Sequence, residues 1–136
     1  GRKMSKSYNN VIPLLGSEKK LKKSIMKIVT NSLEPGVPKD HTNCTVFELY
    51  QYFANANDID EFKKAYEDGI SWGEAKEKLF NIINSELLPI RAKYEELIND
   101  KDYLNDVLSE GAKKARILAI EKIKEVKEVI GLTKIS

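Results

Sequence analysis

Apolar residues recur along this chain at helical spacing almost from end to end, and nowhere do they alternate long enough to read as a strand. Leu21, Ile25, Ile28 and Val29 stand at i, i+4, i+7 and i+8 behind Ser17, a residue suited to capping, which predicts a helix from Ser17 to about Ser32. Lys20, Lys23 and Lys27 fall on the opposite face, so this helix is expected to dock by its apolar stripe and turn a basic ridge outward. The run Glu34-Pro35-Gly36-Val37-Pro38-Lys39-Asp40-His41 ends it, because two prolines and a glycine within four residues cannot continue a helix. Three capping-box spacings follow. Thr45 with Glu48 opens a helix to about Asn55, Asp58 with Glu61 opens one ending near Gly69, and Ser71 with Glu74 opens a long periodic run. In that run Ala75, Leu79, Ile82, Ile83, Ile90, Tyr94, Leu97 and Ile98 mark one stripe, with a kink or break expected near Leu88 because Pro89 lies inside it. A last helix is expected from about Asp102 to Ile130 on Leu104, Leu108, Ala112, Ala115, Ala119, Ile123, Val126 and Ile130, with Gly111 able to bend it and Gly131 to stop it. The fold class is therefore all-α, a helix bundle of about five helices, with residues 1–16 as loop and connector and residues 17–136 as the helical domain.

Composition bounds the class. A chain of 136 residues is the size of one domain, and 41% hydrophobic with 32% charged residues is ordinary globular material rather than disordered. No segment approaches a membrane span, and no apolar signal region opens the chain. A single cysteine, Cys44, allows no internal disulfide, and these features together place the protein in the cytosol. The net charge of +2 hides an asymmetry: residues 1–39 hold nine Lys or Arg against two acids, a balance of +7, and residues 40–136 hold fourteen against nineteen, a balance of −5. The first forty residues are thus the expected polyanion end, although any one lysine can equally be a solvated surface group.

Other constellations are weaker. His41 and Cys44 form a His-x-x-Cys pair, but there is no other Cys or His in the chain, so a zinc site would need carboxylates to complete it and no metal is expected. Cys44 reads as a small core residue at a loop–helix junction, and His41 has no nucleophile to serve as a base. Trp72, Tyr50, Tyr52, Phe53, Tyr66, Tyr94 and Tyr103 could stack on unpaired bases, yet at helical spacing they are expected in the core. Arg91, Lys93, Lys113, Lys114 and Arg116 share helices with many acids and are expected as surface ion-pair partners.

The N-terminal Gly1-Arg2-Lys3-Met4-Ser5-Lys6-Ser7 carries the sharpest chemistry. Two lysines three apart with small hydroxyl residues between them make a compact cationic loop suited to clustered anionic oxygens such as those of phosphates. Lys-Met-Ser-Lys-Ser is the signature loop of class I aminoacyl-tRNA synthetases. Its continuation Tyr8-Asn9-Asn10-Val11-Ile12-Pro13-Leu14, and later Leu87-Leu88-Pro89-Ile90-Arg91, Tyr94, Leu97, Asp100, Tyr103-Leu104, Leu108, Gly111-Ala112-Lys113-Lys114-Ala115-Arg116 and Gly131-Leu132, resemble the bacterial-type tryptophanyl-tRNA synthetase family over nearly the whole chain. The resemblance implies that Lys3 and Lys6 are catalytic groups directed to ATP phosphates, that Met4, Ser5 and Ser7 shape the loop, and that the helices after it bind the tRNA anticodon. It further implies ATP and Mg²⁺ as cofactors of the complete enzyme, and tRNA(Trp), ATP and tryptophan as its partners, with the enzyme a homodimer. Neither a His-x-Gly-His-type motif nor a Rossmann pattern is present, so the chain is expected to be a C-terminal fragment, inactive alone and holding no tightly bound cofactor. Two other readings stay open from the residues: a stand-alone helical RNA-binding module, with Lys20, Lys23 and Lys27 as phosphate contacts in either RNA reading, and a helical protein-interaction domain.

Overall fold

A computed structural model describes residues 3–132. Among them a 3-10 turn, Lys6–Tyr8, precedes five helices: α1 (Glu18–Met26), α2 (Thr45–Gln51), α3 (Ala56–Glu67), α4 (Trp72–Asn99) and α5 (Lys101–Val129). The all-α expectation of about five helices holds, with no strand among the described residues. The chain divides into two compact units, Gly1–Lys93 and Tyr94–Ser136.

Each boundary in the first unit has a local cause. α1 starts as expected, with Ser17 Oγ accepting from the Lys20 amide at 3.4 Å, but it stops at Met26 rather than near Ser32. Lys27 is the C-cap, and the β-branched run Ile28-Val29-Thr30 that follows favours extended backbone over another helical turn. Val29 is consequently 90% exposed, and the buried face of α1 is Leu21 and Ile25. The Thr45 capping box does not form. Thr45 is already helical, and the N-cap is Cys44, whose backbone is extended and whose carbonyl accepts from the Glu48 amide at 2.9 Å. α2 ends at Gln51 instead of near Asn55, because Asn55 is taken as the N-cap of α3. Its Oδ1 accepts from the Asp58 amide at 3.0 Å and its Nδ2 donates to the Asp58 carboxylate at 2.7 Å. Asp58 therefore sits in the first turn rather than capping it, where its charge complements the helix dipole.

α3 ends in a Schellman arrangement, with the Ile70 amide on the Ala65 carbonyl at 2.8 Å, the Gly69 amide on Tyr66 at 3.2 Å, and Gly69 left-handed at φ +85° as its place after the helix suggests. The Ser71 box is formed in both directions: Ser71 Oγ accepts from the Glu74 amide and the Glu74 carboxylate accepts from the Ser71 amide, each at 3.1 Å. The hydrogen bonds from Ser71 hold the Glu74 carboxyl below its ordinary range. α4 contains Pro89 without the expected break. The ring removes the donor for the Ser85 carbonyl, yet the flanking turns continue and Arg91 Nη2 reaches back to Asn84, where the sequence suggested a surface ion pair.

The core lies where these elements meet: Leu21 and Ile25 of α1, Val46, Phe47 and Tyr50 of α2, Phe62 and Tyr66 of α3, and Ala75, Leu79, Phe80, Ile83 and Leu87 of α4. The expected core aromatics divide. Tyr50 and Tyr66 are buried and Trp72 packs against the cluster, whereas Tyr52, Phe53, Tyr94 and Tyr103 are exposed. In the second unit α5 is capped by Asp100, whose Oδ1 accepts from the Tyr103 amide at 3.0 Å, and is closed by left-handed Gly131. It buries no residue of its own, and stripe positions such as Leu108 are 69% exposed. Lys113 pairs with Glu110 at 2.7 Å as a surface ion pair.

The turn at Gly69 and the burial of Tyr66 generate two predictions. A Cβ on Gly69 would meet the Gly36 carbonyl carbon at 2.4 Å, while one on Gly36, also at positive φ, would meet nothing within 4 Å. Gly36→Ala is expected to cost about 1 kcal/mol and Gly69→Ala about 2–4 kcal/mol. Urea denaturation of the two variants reads the difference, and equal losses would remove the Gly36 contact from the account. Burial, then the Cys44 contact, pushes the Tyr66 phenol well above its ordinary range. The unfolded state ionises near pH 10 while the folded state keeps the proton, so stability is intact below about pH 10 and falls as pH rises beyond it. Tyr66→Phe should flatten that alkaline loss in denaturation curves taken between about pH 8 and pH 11.

Candidate functional site

The signature segment is built as a closed turn. Ser5 is extended, its amide donates to Asn10 Oδ1 at 2.7 Å, and its Oγ shares a hydrogen with Ser7 Oγ at 2.7 Å. The Tyr8 amide returns to the Ser5 carbonyl and the Asn9 amide to the Lys6 carbonyl, both at 3.1 Å. Asn9 takes a left-handed φ of 51°, a conformation Asn tolerates better than most side chains. The hydroxyls are thus engaged in shaping the turn, and both lysines, Lys3 and Lys6, project from it exposed. A backbone arranged this way offers cationic side chains from a short, cross-linked segment, which suits a ligand carrying several anionic oxygens. Arg2 lies outside the described residues.

Met4 does not stand apart from the helices. It lines a groove of about 430 Å³ together with Asn10, Ile12, Lys27, Ile28 and Leu49. Lys27 and the signature segment therefore share one concavity, while Lys20 and Lys23 are exposed on α1 and do not line it. The expected ridge of three lysines is in this way divided: two on the helix, and Lys27 at its C-cap beside the loop. Lys22 is engaged otherwise, its Nζ 2.7 Å from the Glu77 carboxylate and 5.1 Å from the centre of the Phe80 ring.

The irregular segment after α1 holds a second concentration of polar chemistry. The Asp40 carboxylate accepts from the Thr42 hydroxyl at 2.6 Å, from the Thr42 amide at 2.8 Å and from Asn43 Nδ2 at 3.4 Å, and the Thr42 bonds hold its carboxyl below the usual range. His41 is half-buried, its ring centre 4.9 Å from that of Phe47. Cys44 Sγ lies 3.3 Å from the Tyr66 hydroxyl. His41 and Cys44 are thus tied to the aromatic core, and among the described residues no three His, Cys, Asp or Glu side chains group as a metal site.

Sequence reasoning passed over three residues. Asn10 fastens the signature turn, and Asn31 accepts from Trp72 Nε1 at 3.0 Å and from the Leu33 amide at 3.1 Å. Lys39 is 4% exposed and donates to the carbonyls of Glu34 and Val37, each at 2.9 Å. A signal for Lys39 was present: Pro35 and Pro38 carry no N–H, so this stretch has more acceptors than donors, and a lysine is the nearest source of extra donors.

Comparison with known proteins gives a consistent result. Residues 1–88 match the family model described as tRNA synthetases class I (W and Y). The tryptophan–tRNA ligase of Pseudomonas aeruginosa is 45% identical over 132 residues, which is 97% of this chain and 30% of that protein. That of Neisseria meningitidis is also 45% identical, over 97% of this chain and 39% of its own length. Among solved structures, the tryptophanyl-tRNA synthetase of Campylobacter jejuni complexed with ADP and tryptophan superposes with a TM-score of 0.87 at 41% identity, covering 96% of this chain and 41% of that one. The chain thus spans well under half the length of these relatives.

Proposed function

Because the chain belongs to the class I tRNA synthetases (W and Y), we propose that it is the signature-loop and anticodon-binding part of a tryptophan–tRNA ligase, which activates tryptophan with ATP and transfers it to tRNA(Trp). The observation that carries this reading is the closed turn from Ser5 to Asn10, which holds Lys6 exposed, with Lys3 exposed two residues before it, while its hydroxyls are occupied within the loop. Lys3 and Lys6 act on the β- and γ-phosphates as negative charge grows on the departing pyrophosphate. Met4, Ser5 and Ser7 set the loop's shape, with Met4 in the groove that Lys27 shares. Mg²⁺ would act with the nucleotide phosphates in the complete enzyme. The adenine and tryptophan sites belong to the family's nucleotide-binding domain, the working assembly is cytoplasmic and homodimeric, and this chain alone is inactive because it positions neither reactant.

For tRNA, the exposed cations Lys20, Lys23 and Lys27 of the basic N-terminal portion meet backbone phosphates, and the loop from Pro35 to Cys44 meets unpaired anticodon bases. Phosphate contacts give affinity and salt dependence without sequence information, while irregular backbone and half-exposed rings can hold a splayed base.

Two measurements test this. In an enzyme joining this chain to the nucleotide-binding domain, Lys6→Ala should slow adenylate formation by about 10²- to 10³-fold with tryptophan affinity retained; weaker tryptophan binding at an unchanged rate constant would contradict the assignment. Titration of tRNA(Trp) at several salt concentrations should show affinity falling steeply with salt, and reversing Lys20, Lys23 and Lys27 together to Glu should lower both the affinity and the slope. Binding indifferent to salt and to that reversal would take α1 out of the tRNA site.

A further inference from the structure

The buried ammonium of Lys39 is unusual in its company. A buried charge ordinarily sits against an opposite charge, yet Lys39 Nζ is placed among neutral carbonyls: Glu34 at 2.9 Å, Val37 at 2.9 Å and Gly69 at 3.5 Å. Those three acceptors match its three donors. The face of Trp72 lies 5.7 Å from the nitrogen and adds a favourable cation–π contact. The Lys39 backbone amide also donates to the Tyr66 carbonyl at 2.9 Å, and the Gly36 amide to the Gly69 carbonyl at 2.8 Å. Tyr66 and Gly69 belong to the C-terminal turn of α3, where carbonyls lack helical partners and a cation is favoured. A single residue thereby ties the proline-containing stretch 34–38 to the end of α3 from two directions, through its amide and through its side chain.

The next four residues form a bracket between fixed ends. On one side is Lys39, and on the other Cys44, held by its place at the start of α2 and by its contact with the Tyr66 hydroxyl. Between them Asp40 folds Thr42 and Asn43 onto its carboxylate, leaving Thr42 and Asn43 exposed and the His41 ring half-open beside Phe47. We infer that Lys39 is a positioning residue for RNA base recognition: it touches no RNA itself and holds residues 40–43 in a preformed shape, with the His41 ring to stack on an unpaired anticodon base and the Asn43 amide to reach its edge. The inference rests on the assignment of this loop to the anticodon. Its physical content is preorganisation. A loop already ordered loses little conformational entropy when a base lands on it, and it rejects a wrong base because it cannot reshape.

The variant Lys39→Met keeps the length of the apolar stem over Trp72 and deletes all three donors. Lys39→Gln keeps two donors without the charge, and His41→Ala leaves the anchor intact. Each is compared in the 136-residue chain by amide hydrogen exchange and by binding of a tRNA(Trp) anticodon-arm hairpin, matched or with altered anticodon bases, over a range of salt. In Lys39→Met the amides of residues 36 and 39 should exchange faster while those of α3 and α4 stay protected, affinity for the matched hairpin should fall by about tenfold, the order of one lost base-stacking contact, and preference over the altered hairpins should fall with it as Asn43 leaves the base edge. The salt slope should not change, because Lys39 meets no phosphate. His41→Ala should lose the same affinity with exchange at 36 and 39 unaltered, and Lys39→Gln should fall between wild type and Lys39→Met in both readouts, which decides the matter if the Met variant does not fold. Retained preference with a shallower slope would make Lys39 a phosphate contact and overturn the inference. Unchanged exchange at residues 36 and 39 would overturn it as well. If exchange accelerates but preference stays, the anchor exists and its role in recognition is refuted; if wild type shows no preference at all, the loop's assignment to the anticodon falls first and this inference with it.

Discussion

Tyr66 is the residue on which the first unit turns. It is wholly buried, and its ring meets Phe47 of α2 at 5.5 Å, Phe62 of its own helix at 5.0 Å and Trp72 of α4 at 5.8 Å, each edge-on. Edge-to-face packing aims ring hydrogens at ring faces and fixes direction as well as distance. The hydroxyl reaches Cys44 at the start of α2, and the backbone carbonyl accepts from both the Lys39 and Gly69 amides. One side chain and one carbonyl thus join α2, α3, α4 and the irregular segment before α2. Helices of seven and twelve residues could not stand alone in water. They exist because this aromatic cluster gives them a shared surface to bury.

What the sequence made legible follows from how local each determinant is. The Ser17 cap and the Ser71–Glu74 box depend on residues three apart, and both formed as the spacing suggested. The Thr45–Glu48 and Asp58–Glu61 spacings are equally good on paper. They failed because competing neighbours, Cys44 held at the loop junction and Asn55 with its paired carbonyl and amide, took the capping positions first. α1 shows the opposite error: the apolar period continued through Val29, but a helix needs propensity as well as periodicity, and three consecutive β-branched residues supplied none. Pro89 was read as a kink or break; the helix runs through it unbroken, because one missing donor inside 28 residues is outweighed by the turns on either side.

The last helix marks a different limit. Its extent, expected from about Asp102, and its stop at Gly131 were readable, because each is encoded within a turn or two of itself, whereas the cap at Asp100 emerges only in the structure. The fate of its apolar stripe was not, because periodicity states that a face exists and says nothing of what covers it. The stripe is the same chemistry in α4, where Ala75, Leu79 and Ile83 are buried, and in α5, where no residue is.

Charge shows the same distinction between counting and placing. The +7 balance of residues 1–39 treats nine cations as equivalent, but the fold spends them differently. Lys39 is buried on carbonyls, and Lys22 lies against Glu77, an acid from the part of the chain counted as negative. Neither is available to a phosphate as a free cation. The Lys22–Glu77 pair is solvent-exposed and weak, so Lys22 can exchange its partner for another anion, whereas Lys39 could do so only by dismantling the loop it holds. Among the described residues, the exposed cations at this end besides Lys22 are Lys3, Lys6, Lys19, Lys20, Lys23 and Lys27. Two of these lie in the signature turn, and Lys27 shares the groove that Met4 enters. The groove that Lys27 shares with Met4 brings the C-terminal end of α1 and the signature segment to one concavity.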